Sequence, residues 1–280
     1  SLRIGLEQLQ LSGRLEVAQL TTDPQVLGNL QSEPFNPRQL AATLKQELPQ
    51  FLNDDALTKL RFASDLGYGD NKARLENLNI VLDDTQLNGT VAVTDVEKQA
   101  LSIKLKIDQL DLDKYQLVAE ETAVPGEGEP APASAPAAVT PLPILPVETV
   151  KALNLDANLK MGKLIASGVE LTDISMKTRA RNGLVKLSDL SAKLYQGTTR
   201  FDAAIDVRPQ QPSWSFNGDI NKVQVKPLLA AVSELDWIEG TFDFKGQLTA
   251  QGNDELSLKK SLVGPANFSL SNGVLRELSV

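Results

Sequence analysis

Hydrophobic and polar residues alternate strictly along most of this chain, which places every second side chain on one face of an extended strand. The clearest run sets Leu101, Ile103, Leu105 and Ile107 against Ser102, Lys104 and Lys106. The same spacing recurs in Phe201, Ala203 and Ile205, in Trp214, Phe216 and Ile220, and in Phe242, Phe244 and Leu248. Leu78, Ile80 and Leu82, then Val91 and Val93, and finally Phe268 and Leu270 extend it. Strands with one apolar and one polar face predict a mainly β protein, most simply an antiparallel sheet with one side in water.

Helical spacing is brief. Leu40, Leu44 and Leu48 recur at intervals of four, behind Asn36 as N-cap and Pro37 at the first helical position, which predicts a short helix over about 37–52. A second is expected from Lys226 to Glu234, with Pro227 near its start. Both read as connectors or plugs between strands. Three segments show a weak repeat, each with Gly seven residues after Leu: Leu6 to Gly13, Leu82 to Gly89 and Leu190 to Gly197. Each is followed by alternating strands and then a helix-prone stretch, the signature of modules added one after another into an elongated sheet.

Between Ala119 and Thr149 the alternation stops. This stretch holds seven of the fifteen prolines and four glutamates between Glu120 and Glu129, the composition of a solvated linker or disordered loop. It separates an N-terminal β-rich part, 1–118, from a C-terminal part, 150–280.

Composition removes several kinds of chemistry. The 280 residues contain no Cys and no His, so thiolate and imidazole mechanisms and their metal sites are excluded. Nothing else converges on a catalytic or metal site, and no cofactor is expected. Asp83-Asp84 and Asp54-Asp55 read as turn and cap residues, Gly67 to Asn71 as a strand connection, and Trp237 as the anchor of a strand start. The net charge of −8, from 28 basic and 36 acidic residues, argues against nucleic acid as a partner. Aromatic residues make up only 5%, so the apolar surface is aliphatic, suited to acyl chains or to an ordinary core. No apolar run reaches the length of a membrane-spanning helix. The chain begins at Ser1 and stops at Val280 within a strand-like pattern, so it is expected to be a piece of a longer protein.

Three stretches carry a family resemblance: LPVETVKALNLDANLKMGKLIASGVELTDISMKTRARNGLVKLSDLSAKLYQGTTRFDAAIDV from Leu145, NKVQVKPLLAAVSELDWIEGTFDFKGQLTAQGN from Asn221, and FSLSNGVLRELSV from Phe268. In their order and spacing these resemble the AsmA family of bacterial envelope proteins, itself related to TamB-like and eukaryotic bridge-like lipid-transfer proteins. The resemblance implies a long curved β-sheet groove that shelters phospholipid acyl chains. It also implies a periplasmic location, with anchoring to the inner membrane through an N-terminal helix that this chain lacks. Outer-membrane assembly and lipid homeostasis, without catalysis, would be the role.

On this reading the groove is lined by the twenty alternating apolar residues named at the outset. Apolar strand faces are more often closed by a second layer than left for a ligand. The residues alone therefore also fit a closed, non-catalytic scaffold that recruits envelope assembly proteins.

Overall fold

The computed structural model describes residues 2–6, 8–18, 24–117, 143–233 and 238–275. They form one sheet of fourteen strands whose spatial order is the order of the chain. The first seven strands are β1 (Leu2–Leu6), β2 (Leu9–Ala18), β3 (Gln25–Ser32), β4 (Leu60–Gly69), β5 (Lys72–Leu82), β6 (Thr85–Asp95) and β7 (Ala100–Asp111). The remaining seven are β8 (Leu155–Ala166), β9 (Val169–Arg181), β10 (Leu184–Leu194), β11 (Gly197–Asp206), β12 (Ser213–Gln224), β13 (Ile238–Gln251) and β14 (Ala266–Leu275). Neighbours are antiparallel except β7 and β8, which run parallel. The parallel pair falls where the chain passes through the Pro-rich stretch, because parallel neighbours need a long connection to return to the starting end. At about 4.8 Å per strand the stack extends roughly 60 Å.

Two-residue turns build most hairpins. Asp70-Asn71, Ser167-Gly168, Asn182-Gly183 and Tyr195-Gln196 all have positive φ at both positions. That is the turn whose twist matches the flanking strands, and Asn-Gly is its strongest sequence signal. Of the Gly67–Asn71 segment, read from the sequence as a strand connection, Asp70-Asn71 forms the β4–β5 turn while Gly67 to Gly69 pair within β4.

Strict alternation breaks at mid-strand bulges. Register shifts occur between Leu75 and Leu78 in β5, between Leu187 and Leu190 in β10, and between Ile220 and Val223 in β12. Each interval contains a residue with positive φ, namely Asn77 (50°), Asp189 (54°) and Lys222 (54°). The orphaned amides find carboxylates on the next strand: Asp189 N–H donates to Asp202 at 3.1 Å and Lys222 N–H to Asp243 at 3.0 Å. A bulge bends its strand and increases the twist, so bulges spread over many strands curve the whole sheet. Asn77 also donates through its side chain to Asp65 at 2.7 Å. Asn77→Val should lower stability by about 1–2 kcal/mol, the cost of a left-handed backbone for a residue with a Cβ branch. Asn77→Gly should stay near the parent, and urea midpoints of the three proteins check this.

The helices are short and lie at strand ends. They are α1 (Pro37–Thr43), α2 (Val147–Ala152), α3 (Val225–Val232) and α4 (Glu255–Ser261), with one 3-10 turn at Asp113–Tyr115. α1 starts as expected, with Asn36 Oδ1 accepting from Gln39 N–H at 3.1 Å. It stops well before Leu52: Lys45 takes φ 54°, and Pro49 forces Leu48 away from helical geometry. α2 forms at the end of the Pro-rich stretch, most of which lies outside the described residues, as does Trp237. α4 has no expectation behind it; Asp254 caps it by accepting from Ser257 N–H at 2.9 Å.

α3 packs on β13, β12 and β9. Four strand spacings in a flat sheet would be about 19 Å, and eight helical residues reach only about 12 Å. A sheet that curves toward this short helix brings β9 and β13 within its reach. Of the three repeat segments, Gly13 and Gly89 hold equivalent places on return strands, whereas Gly197 opens its strand at the hairpin turn.

Candidate functional site

Cross-strand partners share a face, so the register shows which apolar residues lie together. Leu101, Ile103, Leu105 and Ile107 face Val93, Val91, Gly89 and Leu87 of β6, and these lead on to Leu78 and Ile80 of β5, with Leu82 following on the same strand face. In the other direction they face Leu155, Ala157, Leu159 and Met161 of β8. The same face continues through Ile174 of β9, then Leu187 and Leu190 of β10, to Ala203 and Phe201 of β11, with Ile205 beside them. Ile205, Ala203 and Thr199 stand opposite Trp214, Phe216 and Ile220. Phe216 and Ile220 stand opposite Leu248 and Phe244, Val223 opposite Phe242, and β14 adds Leu270 and Phe268. All twenty residues singled out from the sequence occupy one face of one sheet.

The structure also adds residues to that face. Leu155, Ala157, Leu159, Met161, Ile174, Leu187, Leu190 and Ala192 join the two halves, and Met161, Ile174 and Ala192 with Ile107 form its most buried cluster. The alternation of Leu155 to Met161 was a sufficient signal for β8. In β9 and β10 the bulges shift the face mid-strand and break the period that would have revealed them. Toward the N-terminus the face continues through Phe62 and Leu66 of β4 and Leu30 of β3 to Leu15 and Val17 of β2.

Burial varies along this face. Ile107 and Leu78 are each 9% exposed, whereas Phe268 is 78% and Leu270 51% exposed on the last strand. Among the described residues there is no second sheet, and helices of six to eight residues cannot roof a surface roughly 60 Å long. The central side chains are buried against one another on adjacent strands. Phe201, Phe216 and Phe244 form a ladder with ring centroids 4.9 and 6.5 Å apart. Gly218 and Gly246 leave the space for it, since a Cβ at Gly218 would come within 2.2 Å of the Phe201 ring and one at Gly246 within 2.6 Å of the Phe244 ring. Trp214 satisfies its indole N–H on the Gly252 carbonyl at 3.0 Å. Thr199, 6% exposed on the same face, has a hydroxyl with no partner among the described residues.

The Asp83-Asp84 pair does structural work. Asp83 turns inward and accepts from the amides of Leu57, Thr58 and Lys59 at 2.8, 2.8 and 2.9 Å and from the Tyr115 hydroxyl at 2.8 Å. Asp84 points the other way and pairs with Lys114 at 3.0 Å. Burial pushes the Asp83 carboxyl upward, but the hydrogen bonds from Lys59, Tyr115, Thr58 and Leu57 outweigh it and hold the group below the usual Asp value. Burial and the bond to Asp83 together push the Tyr115 hydroxyl well above its ordinary range. Among the described residues no cluster of acidic side chains has the arrangement of a metal site, and no helix is long and apolar enough to cross a membrane.

Comparison with known proteins places the chain more specifically. The model of the AsmA family matches residues 16–280. Protein AsmA of Escherichia coli (strain K12) is 21% identical over 202 residues, a match covering 70% of this chain and 32% of that protein. The chain thus spans about a third of the length of that relative. No solved structure matches.

Proposed function

The chain belongs to the AsmA family, and from that premise we propose that its apolar sheet face holds or passes phospholipid acyl chains in the bacterial envelope, without catalysis. The observation that carries this is the single continuous aliphatic face, running from β2 to β14 with no layer over it among the described residues. Burying a methylene is worth about 0.8 kcal/mol, so a chain of roughly sixteen carbons gains on the order of 13 kcal/mol gross. That is close to what a bilayer offers the same chain, so transfer between the two is not strongly uphill. A strand segment of about seven residues spans roughly 24 Å, comparable to an extended acyl chain.

On this reading the protein works in the periplasm and supports outer-membrane assembly and lipid homeostasis. In its full-length form an N-terminal helix would hold it to the inner membrane. Curvature gives an acyl chain aliphatic contact from several strands at once while the headgroup stays in water.

Mass spectrometry of lipids extracted from the purified protein tests the proposal, beside variants Ile103→Asp and Phe216→Asp. Stoichiometric phospholipid in the parent, lost in both variants while circular dichroism retains the β signal, is the expected result. A parent free of lipid would instead favour a closed scaffold for envelope assembly proteins.

A further inference from the structure

The opposite, polar face carries a second feature. Lys104 and Lys106 of β7, Lys160 of β8 and Lys186 of β10 are all exposed, and none makes an ion pair or hydrogen bond among the described residues. Lys106 lies directly across from Lys160, and Lys186 directly across from Arg179. Like charges set opposite one another in a sheet destabilise it. Only Arg179 is compensated, by Asp156 at 2.7 Å, while the neighbouring Lys177 is held by Asp189 at 2.7 Å. A shallow open depression of about 340 Å³ beside Lys104 and Lys186 is also lined by Ser102, Asn158, Ser188 and the ion-paired Arg179 and Asp156. Four unpaired lysines on β7, β8 and β10, within a band of four strands about 14 Å across, stand out in a chain of net charge −8.

We infer that this lysine patch on the polar face of β7–β10 docks the protein onto an anionic lipid bilayer. A single soluble anion would gain little here, because exposed lysines are weak partners one at a time. A surface presenting many anions engages all four together, and within a Debye length of about 8 Å the patch is felt before the remote negative charge of the chain. The choice of a bilayer over an acidic polypeptide rests on reading the other face as lipid-holding. Docking by the polar face would keep the apolar face free for its cargo.

Vesicle flotation tests this, using phosphatidylcholine alone or with about one-third phosphatidylglycerol. The parent should float with the anionic vesicles at low salt, should not float with neutral ones, and should detach at about 1 M salt, where the Debye length falls to about 3 Å. Lys104→Gln, Lys106→Gln, Lys160→Gln and Lys186→Gln combined should weaken binding by roughly two to three orders of magnitude, about fivefold per lysine. A control with Lys72→Gln and Lys245→Gln, elsewhere on the same face, should bind like the parent. Equal binding by the quadruple variant with unchanged circular dichroism, equal binding to neutral vesicles, or binding to polyglutamate but not to vesicles would each overturn the inference. The outcome separates from that of the lipid analysis. Lipid-loaded protein that ignores anionic vesicles refutes the patch alone, and lipid-free protein that binds them refutes only the reading of the apolar face.

Discussion

Asp83→Ala should destabilise the protein by about 3 kcal/mol, because one carboxylate satisfies three successive amides and a tyrosine hydroxyl, and bonds to a charged acceptor are worth about 1.5–3 kcal/mol each. Removing it leaves the amides of Leu57, Thr58 and Lys59 without an acceptor at a turn where Leu57 takes φ 55°. It also frees Tyr115, which closes the same end of the sheet by packing edge-on against Phe51. The effect carries a pH signature. The folded carboxyl lies below its unfolded value, so its contribution is complete above the unfolded value, about 3.9, and is lost as pH falls through the folded one. Urea midpoints of the parent and Asp83→Asn should differ most near neutral pH and converge below about pH 4. A constant difference across that range would show that the carboxylate charge is not what holds the turn.

Met161→Ala should cost about 2–5 kcal/mol, as truncations at buried core positions do, while Phe268→Ala should shift stability by no more than about 0.5 kcal/mol. Both residues belong to the apolar face, yet Met161 is 7% exposed and Phe268 is 78% exposed. Met161 sits among Ile107, Ile174 and Ala192 near the middle of the stack, where each strand has neighbours on both sides. Phe268 is on the last strand, whose outer edge has no partner among the described residues. Thermal or urea unfolding of the pair measures how far the face is a core at its centre and an open surface at its end. Equal costs would mean that the edge strand is covered in solution.

Period-two alternation made the apolar face legible wherever it ran unbroken. The runs of β7, β11, β12 and β13 needed no structure to be assigned, because a strand must send alternate side chains to opposite sides. Turn chemistry was equally local: Asn182-Gly183 specifies its hairpin through the backbone freedom of those two residues. The start of α1 was readable from Asn36 and Pro37, but its end was not, because propensity favoured continuation through Leu48 while Pro49 and the Lys45 turn opposed it. α4, with Asp254 as cap, carried a readable signal in a segment otherwise taken up by strands.

The sequence by itself determined that this protein is a β protein with a segregated aliphatic face and no imidazole or thiol chemistry, since composition and local periodicity do not depend on what lies far away in the chain. Only the tertiary structure decided that both halves join edge to edge through the parallel pairing of β7 and β8, and that one face runs unbroken across the joint. It also decided that Lys106 and Lys160 stand side by side, more than fifty residues apart in the chain. The reason is that register is a relation between strands: bulges at Asn77, Asp189 and Lys222 shift it, and no single strand records which partner it meets or in which phase.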